Sequence, residues 1–176
     1  FGTVGTNAGI FNQAVNSANR VSLFWNDSAD QLWFQVTSNG TTLLDYRPTW
    51  APTTANWYHV AAVRQGTNIT LWVNGNTLAM ATGAVTTTGA TGTFPDLAAA
   101  FEVGRAIDSG NLYSYMSGWI DQVRITNGIA RYSSTANFVA TTAEYTTQAQ
   151  YEYWLYVNTD SIVTFRASSS GFTNPS

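Results

Sequence analysis

The chain has 176 residues and a formal net charge of −3, about one domain by length and enough to bury roughly 70% of the surface its unfolded form would expose. Only 10% of residues are charged, all seven basic ones are arginine, and cysteine is absent. Disulfides and thiolate chemistry are therefore excluded, as is a basic stripe that could release counterions from nucleic acid. No apolar run approaches the ~18 residues of a membrane-spanning helix, and no signal peptide is visible.

Alternation dominates and helical periodicity is nearly absent. Val21, Leu23 and Trp25 alternate with Ser22 and Asn26, and Leu32, Phe34 and Val36 alternate with Gln31, Trp33 and Gln35. Ile69, Leu71 and Val73 alternate with Thr70, Trp72 and Asn74. Each stretch reads as a strand with one buried face. Turn residues separate them at Asn26-Asp27-Ser28, Ser38-Asn39-Gly40, Gly66-Thr67-Asn68 and Asn74-Gly75-Asn76, where Asn-Gly tolerates positive φ and closes tight hairpins. Residues 82–98 read as a long Thr/Gly/Ala-rich loop, FEVGR (101–105) and SGWIDQVRIT (117–126) as strands, and Ile129 to Tyr132 as one helical turn. A last pair of strands is predicted at YEYWLYV (151–157) and SIVTFRA (161–167). Many short strands at even spacing imply a sandwich or jelly roll.

WYHVAAVRQGTNITLWVNG (57–75), then FEVGR, then GWIDQVRITNGIARY (118–132) resemble, in order and spacing, the laminin-G-like branch of the concanavalin-A-like lectin/glucanase fold. The closing stretch is similar to versions in phage, virion and bacterial surface proteins. The resemblance runs from about Gly9 to Phe138. It implies an all-β, two-sheet antiparallel jelly-roll sandwich in which 57–75 forms two adjacent strands. It also implies a framework role for His59, and a structural one for Asp121, paired with Arg105 or Arg124. The ends depart from the pattern. Little chain precedes GIFNQAV (9–15), while YEYWLYVNTDS (151–161) looks like the early family strand that normally leads into it. The first strand is therefore expected at the C-terminus, with 1–143 forming the sandwich and 144–176 a strand-forming tail. That tail completes its own sheet, adds to a neighbouring copy, or begins the next repeat of a tandem array. An unfilled sheet edge would be a liability.

Glucanases of this fold carry paired carboxylates, usually as Glu-x-Asp-x-x-Glu on one strand. The three glutamates here, Glu102, Glu144 and Glu152, begin no such pattern, so no catalytic residue is assigned and a hydrolase ranks third. One histidine supports neither a His-rich metal cluster nor a Ser-His-Asp triad. No cofactor is required. Laminin-G-like domains often hold Ca²⁺ at the sandwich rim through hard oxygen ligands. The resemblance leaves that ion open, with Asp27, Asp30, Asp96 and Asp108 as candidates; the same four also read as solvated loop acids or Asx-turn formers.

If Leu32, Phe34 and Val36 point inward, Trp33 points outward with Gln31 and Gln35, and Trp72 does so beside Thr70 and Asn74. Such rings stack on sugars, or they pack under loops, against other copies or beneath the tail. Tyr113 and Tyr115 form a second candidate surface; Tyr151, Tyr153, Trp154 and Tyr156 form the assembly face of the tail. Asn26-Asp-Ser, Asn39-Gly-Thr and Asn68-Ile-Thr match the glycosylation acceptor pattern, which a Ser/Thr-rich chain also meets by chance. The expected function is a non-enzymatic surface module of a virion or extracellular assembly, joined to other copies or to a scaffold protein. The alternative is a lectin-like adhesin for host cell-surface glycans. Neither nucleic-acid binding nor membrane insertion is expected.

Overall fold

The computed structural model describes residues 1–2, 5–66, 68–79, 94–107, 113–128, 130–132, 137–138, 140, 152–157 and 161–166, with backbone alone for 113, 152–157 and 161–166. Among the described residues there are twelve strands: β1 (Ala8–Asn16), β2 (Asn19–Asn26), β3 (Gln31–Ser38), β4 (Thr41–Tyr46), β5 (Val60–Gln65), β6 (Asn68–Val73), β7 (Asn76–Thr77), β8 (Phe101–Val103), β9 (Arg105–Ile107), β10 (Tyr113–Tyr115), β11 (Glu152–Val157) and β12 (Ser161–Arg166). The chain divides into two compact units, Phe1–Ala140 and Thr141–Ser176. In the second, β11 and β12 pair antiparallel, Glu152 opposite Arg166 and Val157 opposite Ser161.

In the first unit a five-stranded sheet runs β4-β3-β2-β1-β8 and a three-stranded sheet runs β5-β6-β7. Alternation decides which side chains meet between them. Leu23, Trp25, Leu32, Phe34, Val36 and Leu44 from the larger sheet share one buried cluster with Leu71 and Val73 from the smaller. Val60, Ala62 and Ile69 pack against that cluster as well. This is the face-to-face packing of a sandwich, in which each inner row loses its apolar surface to the other. Trp25 adds a buried bond, its Nε1 donating to Trp50 O at 3.0 Å.

The turns follow their residues. Asn39 and Gly40 have φ of 49° and 75°, and Asn74 and Gly75 have φ of 50° and 77°. Successive positive φ values suit the twist of two-residue hairpins. At the β2–β3 turn Asn26 caps the short 3-10 helix Asp27–Ala29, its side chain accepting from Ala29 N at 3.0 Å.

Three predicted elements differ. FEVGR is broken at Gly104, whose φ is 84°; β8 pairs with β1 while β9 turns to pair with β10. SGWIDQVRIT forms no strand, because Gln122 takes φ of 53° and its N–H donates to Asp121 Oδ1 at 2.7 Å, which interrupts the pleat. Residues 130–132 form no helix, and Ile129 lies outside the described residues.

Candidate functional site

Register builds a polar row across the outer face of the five-stranded sheet. Asp45 on β4 stands opposite Gln35 on β3, Gln35 opposite Ser22 on β2, Ser22 opposite Asn12 on β1, and Asn12 opposite Glu102 on β8. All but Glu102 are buried. Gln35 Nε2 donates to Asp45 Oδ1 at 3.1 Å, Ser22 Oγ to Asn12 Oδ1 at 2.9 Å, and Asn12 Nδ2 to Glu102 Oε2 at 3.2 Å. Arg20, one turn of the pleat along β2, donates to Gln35 Oε1 at 2.9 Å. Each end is closed by an ion pair, Arg47 with Asp45 and Arg105 with Glu102. The hydrogen bond from Arg105 holds the Glu102 carboxyl below its ordinary pKa, with a smaller contribution from Asn12.

The β9–β10 pair covers part of this face. Gly9 makes that approach possible: a Cβ there would lie 2.2 Å from Ala106 N and 2.3 Å from Ser114 O. Asn12 and Ser22 are consequently out of reach of a large ligand, and the row reads first as framework. The two carboxylates are also too far apart for acid–base work on one bond. Asp45 and Glu102 are separated by four strand spacings, about 19 Å at the usual distance between strands, against roughly 5–9.5 Å for glycosidase pairs.

Trp33 does lie on this outer face, but it is not a free platform. Its Nε1 donates to Gln31 Oε1 at 2.9 Å, the Arg47 guanidinium lies 3.8 Å from its ring centroid, and Phe24 packs 5.3 Å away. Gln35 is buried in the row. Trp72 also points away from the inter-sheet cluster, yet it is fully buried. Phe138 covers it at 5.3 Å between centroids, with Tyr132 stacked on Phe138 at 3.7 Å and 2°. Trp72 is thus packed under Phe138, while Trp33 is engaged by side chains of and beside its own sheet.

Asn74 and His59 are joined by two hydrogen bonds, His59 N–H donating to the Asn74 side-chain Oδ1 and Asn74 N–H to His59 O. The His59 ring meets Phe138 and Tyr132 edge-on at 5.5 and 5.9 Å. Burial lowers its pKa. Its Nδ1 is buried without a hydrogen-bond partner, unlike a satisfied framework histidine, and so is Trp72 Nε1.

A different set of apolar side chains faces solvent; the sequence named Tyr115 among them as a candidate surface and singled out none of the others. Trp57 is 68% exposed, Tyr115 62%, Trp119 73%, Val123 54% and Ile125 67%. Phe1 and Gly2 tie two of these regions together. Phe1 N donates to Asn56 O at 3.2 Å, Ala55 N to Phe1 O at 3.0 Å, and Gly2 N to Ser117 O at 2.6 Å. Phe1 and Gly2 thus join the segments that carry Trp57 and Trp119. The signal available in sequence was the tryptophan beside a turn at each place.

The remaining sites divide by what is described. Tyr113 lies in β10 opposite Ile107; Tyr153, Trp154 and Tyr156 lie in β11; Tyr151 and Asp108 fall outside the described residues. Asp27 Oδ1 accepts from Gly5 N at 2.8 Å, Asp30 takes φ of 48° after the 3-10 helix, and Asp96 is exposed. Among the described residues no three His, Asp or Glu side chains come together as metal ligands. Asp121 accepts from Gln122 N, and Arg105 is held by Glu102.

Comparison with known families matches the arrangement of sheets. The laminin-G family model of the concanavalin A-like lectin/glucanases superfamily matches residues 2–134. No curated protein and no solved structure matches the chain. With two antiparallel sheets packed face to face over the matched span, the chain belongs to the laminin-G-like branch of the concanavalin A-like lectin/glucanase superfamily.

Proposed function

We propose that this chain is a non-enzymatic surface module of a virion or extracellular assembly, acting in contacts between subunits. The observation that carries this is the stretch 119–125. It has the alternation of a strand, forms no strand among the described residues, and presents Trp119, Val123 and Ile125 to solvent. Large apolar groups exposed together mark an interaction surface, and a second copy is the occupant proposed. The β11–β12 hairpin is the second assembly element. Among the described residues it is a two-stranded sheet, and two-stranded ribbons are marginal without further partners. Family domains are commonly extracellular, and among the described residues no helix is long and apolar enough to cross a membrane.

The test is the native mass of residues 1–176 beside Trp119→Ser/Ile125→Ser and a chain ending at Ala140. Assembly should fall in both variants; unchanged mass in both would refute the reading.

A lectin-like adhesin is the second reading, favoured by one observation. Trp57 and Trp119 are exposed rings with Thr53, Thr54, Asn56 and Ser117 nearby, the combination of ring face and polar groups that saccharides use. Glycan-array binding lost on Trp57→Ala would support it. No binding by the intact chain would remove it.

A further inference from the structure

Phe1 is seated in a box of three rings. Its own ring lies 5.6 Å from that of Trp25, 5.5 Å from Trp50 and 6.3 Å from Tyr58, meeting them edge-on at 82°, 76° and 75°. Edge-to-face pairs of this kind are favoured by the ring quadrupoles. The backbone is gripped on both sides of the ring: Ala55 N donates to Phe1 O at 3.0 Å, and Gly2 N donates to Ser117 O at 2.6 Å. Gly2 and Gly118 approach each other closely. A Cβ on Gly118 would lie 2.8 Å from Gly2 N, and one on Gly2 would lie 3.1 Å from Ser117 O.

The walls of the box are held by bonds that Phe1 does not make. Trp25 Nε1 donates to Trp50 O, and Trp50 N donates to Asp30 O at 2.8 Å. The Tyr58 hydroxyl accepts from Thr53 N at 3.0 Å and lies 2.9 Å from Thr53 Oγ1. Asn56 Nδ2 ties the same loop through Thr53 Oγ1 and Thr54 O. Trp50 and Tyr58 also pack on each other at 5.3 Å and 82°. Ala55, whose N–H reaches Phe1 O, takes φ of 61°; left-handed backbone at a residue other than glycine is strained, and such strain recurs at ligand clamps. A pocket braced in this way is preorganised for its occupant.

We propose that Trp25, Trp50 and Tyr58, with Ala55 N–H and Ser117 O, form a binding site for a phenyl ring followed by glycine, which Phe1-Gly2 fills in cis. The ligand class is an extended peptide carrying Phe-Gly. Main-chain bonds hold such a ligand and a side-chain pocket selects it, the division of labour of peptide-recognition grooves. The ring box selects the first position, and the close approach to Ser117 and Gly118 selects glycine at the second. The bonds used are those of Phe1 O and Gly2 N, so the α-amino group of Phe1 plays no part. A Phe-Gly unit on another chain enters by the same contacts once the tethered one is withdrawn. The site does not depend on the assembly reading.

Titration of the full chain carrying Phe1→Ala tests it, with a synthetic peptide of the sequence of residues 1–6 and the Trp25 Nε1–H resonance as the readout. The resonance should shift saturably. A peptide with alanine in place of its phenylalanine should bind roughly tenfold more weakly or worse, the loss expected for one buried ring. In the parent the tethered segment competes at an effective concentration on the order of millimolar, so roughly tenfold more peptide should be needed there. Should Phe1→Ala fail to fold, the phenylalanine peptide should restore its near-UV circular dichroism and the alanine peptide should not. No shift in the folded variant, equal response to the two peptides, an equally sensitive parent, or no rescue of an unfolded variant would overturn the site.

Discussion

Asp45 and Glu102 close the two ends of one row of side chains across the five-stranded sheet, and each carboxylate is gripped by an arginine close along its own chain, Arg47 and Arg105. Between them Gln35, Ser22 and Asn12 stand in register on the three intervening strands. Both carboxylates serve as fastenings of the sheet.

Asp45→Ala should strip the acceptor from both Arg47 and Gln35 Nε2. Removing one partner of a largely buried pair costs about 3 kcal/mol. The check is a lower urea midpoint at unchanged m-value. Arg47→Ala added to Asp45→Ala should cost less than the sum of the two single changes. A loss below about 1 kcal/mol for Asp45→Ala would show that the row holds little.

Glu102 sets an acid limit. Its carboxyl is held below the ordinary value chiefly by the hydrogen bond from Arg105. A depressed folded-state pKa contributes stability that is present above the unfolded value and lost as pH falls through the folded one. Carboxyl NMR titration should place Glu102 below an ordinary glutamate, and Arg105→Ala should move it upward. An unchanged titration in Arg105→Ala would assign the shift elsewhere.

Gly40 and Gly75 occupy equivalent left-handed turn positions, but nothing lies within 4 Å of a Cβ built on Gly40, while Phe138 O blocks Gly75. Gly40→Ala should cost only the conformational penalty, about 1 kcal/mol. Gly75→Ala should cost clearly more and should release Phe138. Equal losses in thermal unfolding would mean that Phe138 is not seated there.

Much of the architecture was legible because a period of two can be read locally. Leu32, Phe34 and Val36 and the Asn39-Gly40 and Asn74-Gly75 turns lie where alternation and turn chemistry put them. The polar row was not legible, since it depends on register across five strands and on bulges in β1 and β4. Trp72 was placed on the correct face but not under Phe138, a residue far away in sequence. At GWIDQVRIT alternation misled, because one positive φ at Gln122 ends the pleat.

Trp33 and Trp57 should behave oppositely. Trp33→Ala removes packing from Phe24 and Arg47 and should destabilise by about 2–3 kcal/mol, at the low end for loss of a large ring that is only half-buried. Trp57→Ala, on the exposed rim, should stay within about 0.5 kcal/mol of the parent. Denaturant titration of both variants checks the contrast, and a costly Trp57→Ala would place that ring in the framework.

The most direct measurement is the native mass of residues 1–176 by light scattering after size exclusion. An assembling module should elute at multiples of the 19.1 kDa chain mass, growing with concentration and shrinking in Trp119→Ser/Ile125→Ser. A 19.1 kDa monomer at every concentration would contradict subunit assembly and turn attention to the Trp57–Trp119 rim as a glycan site.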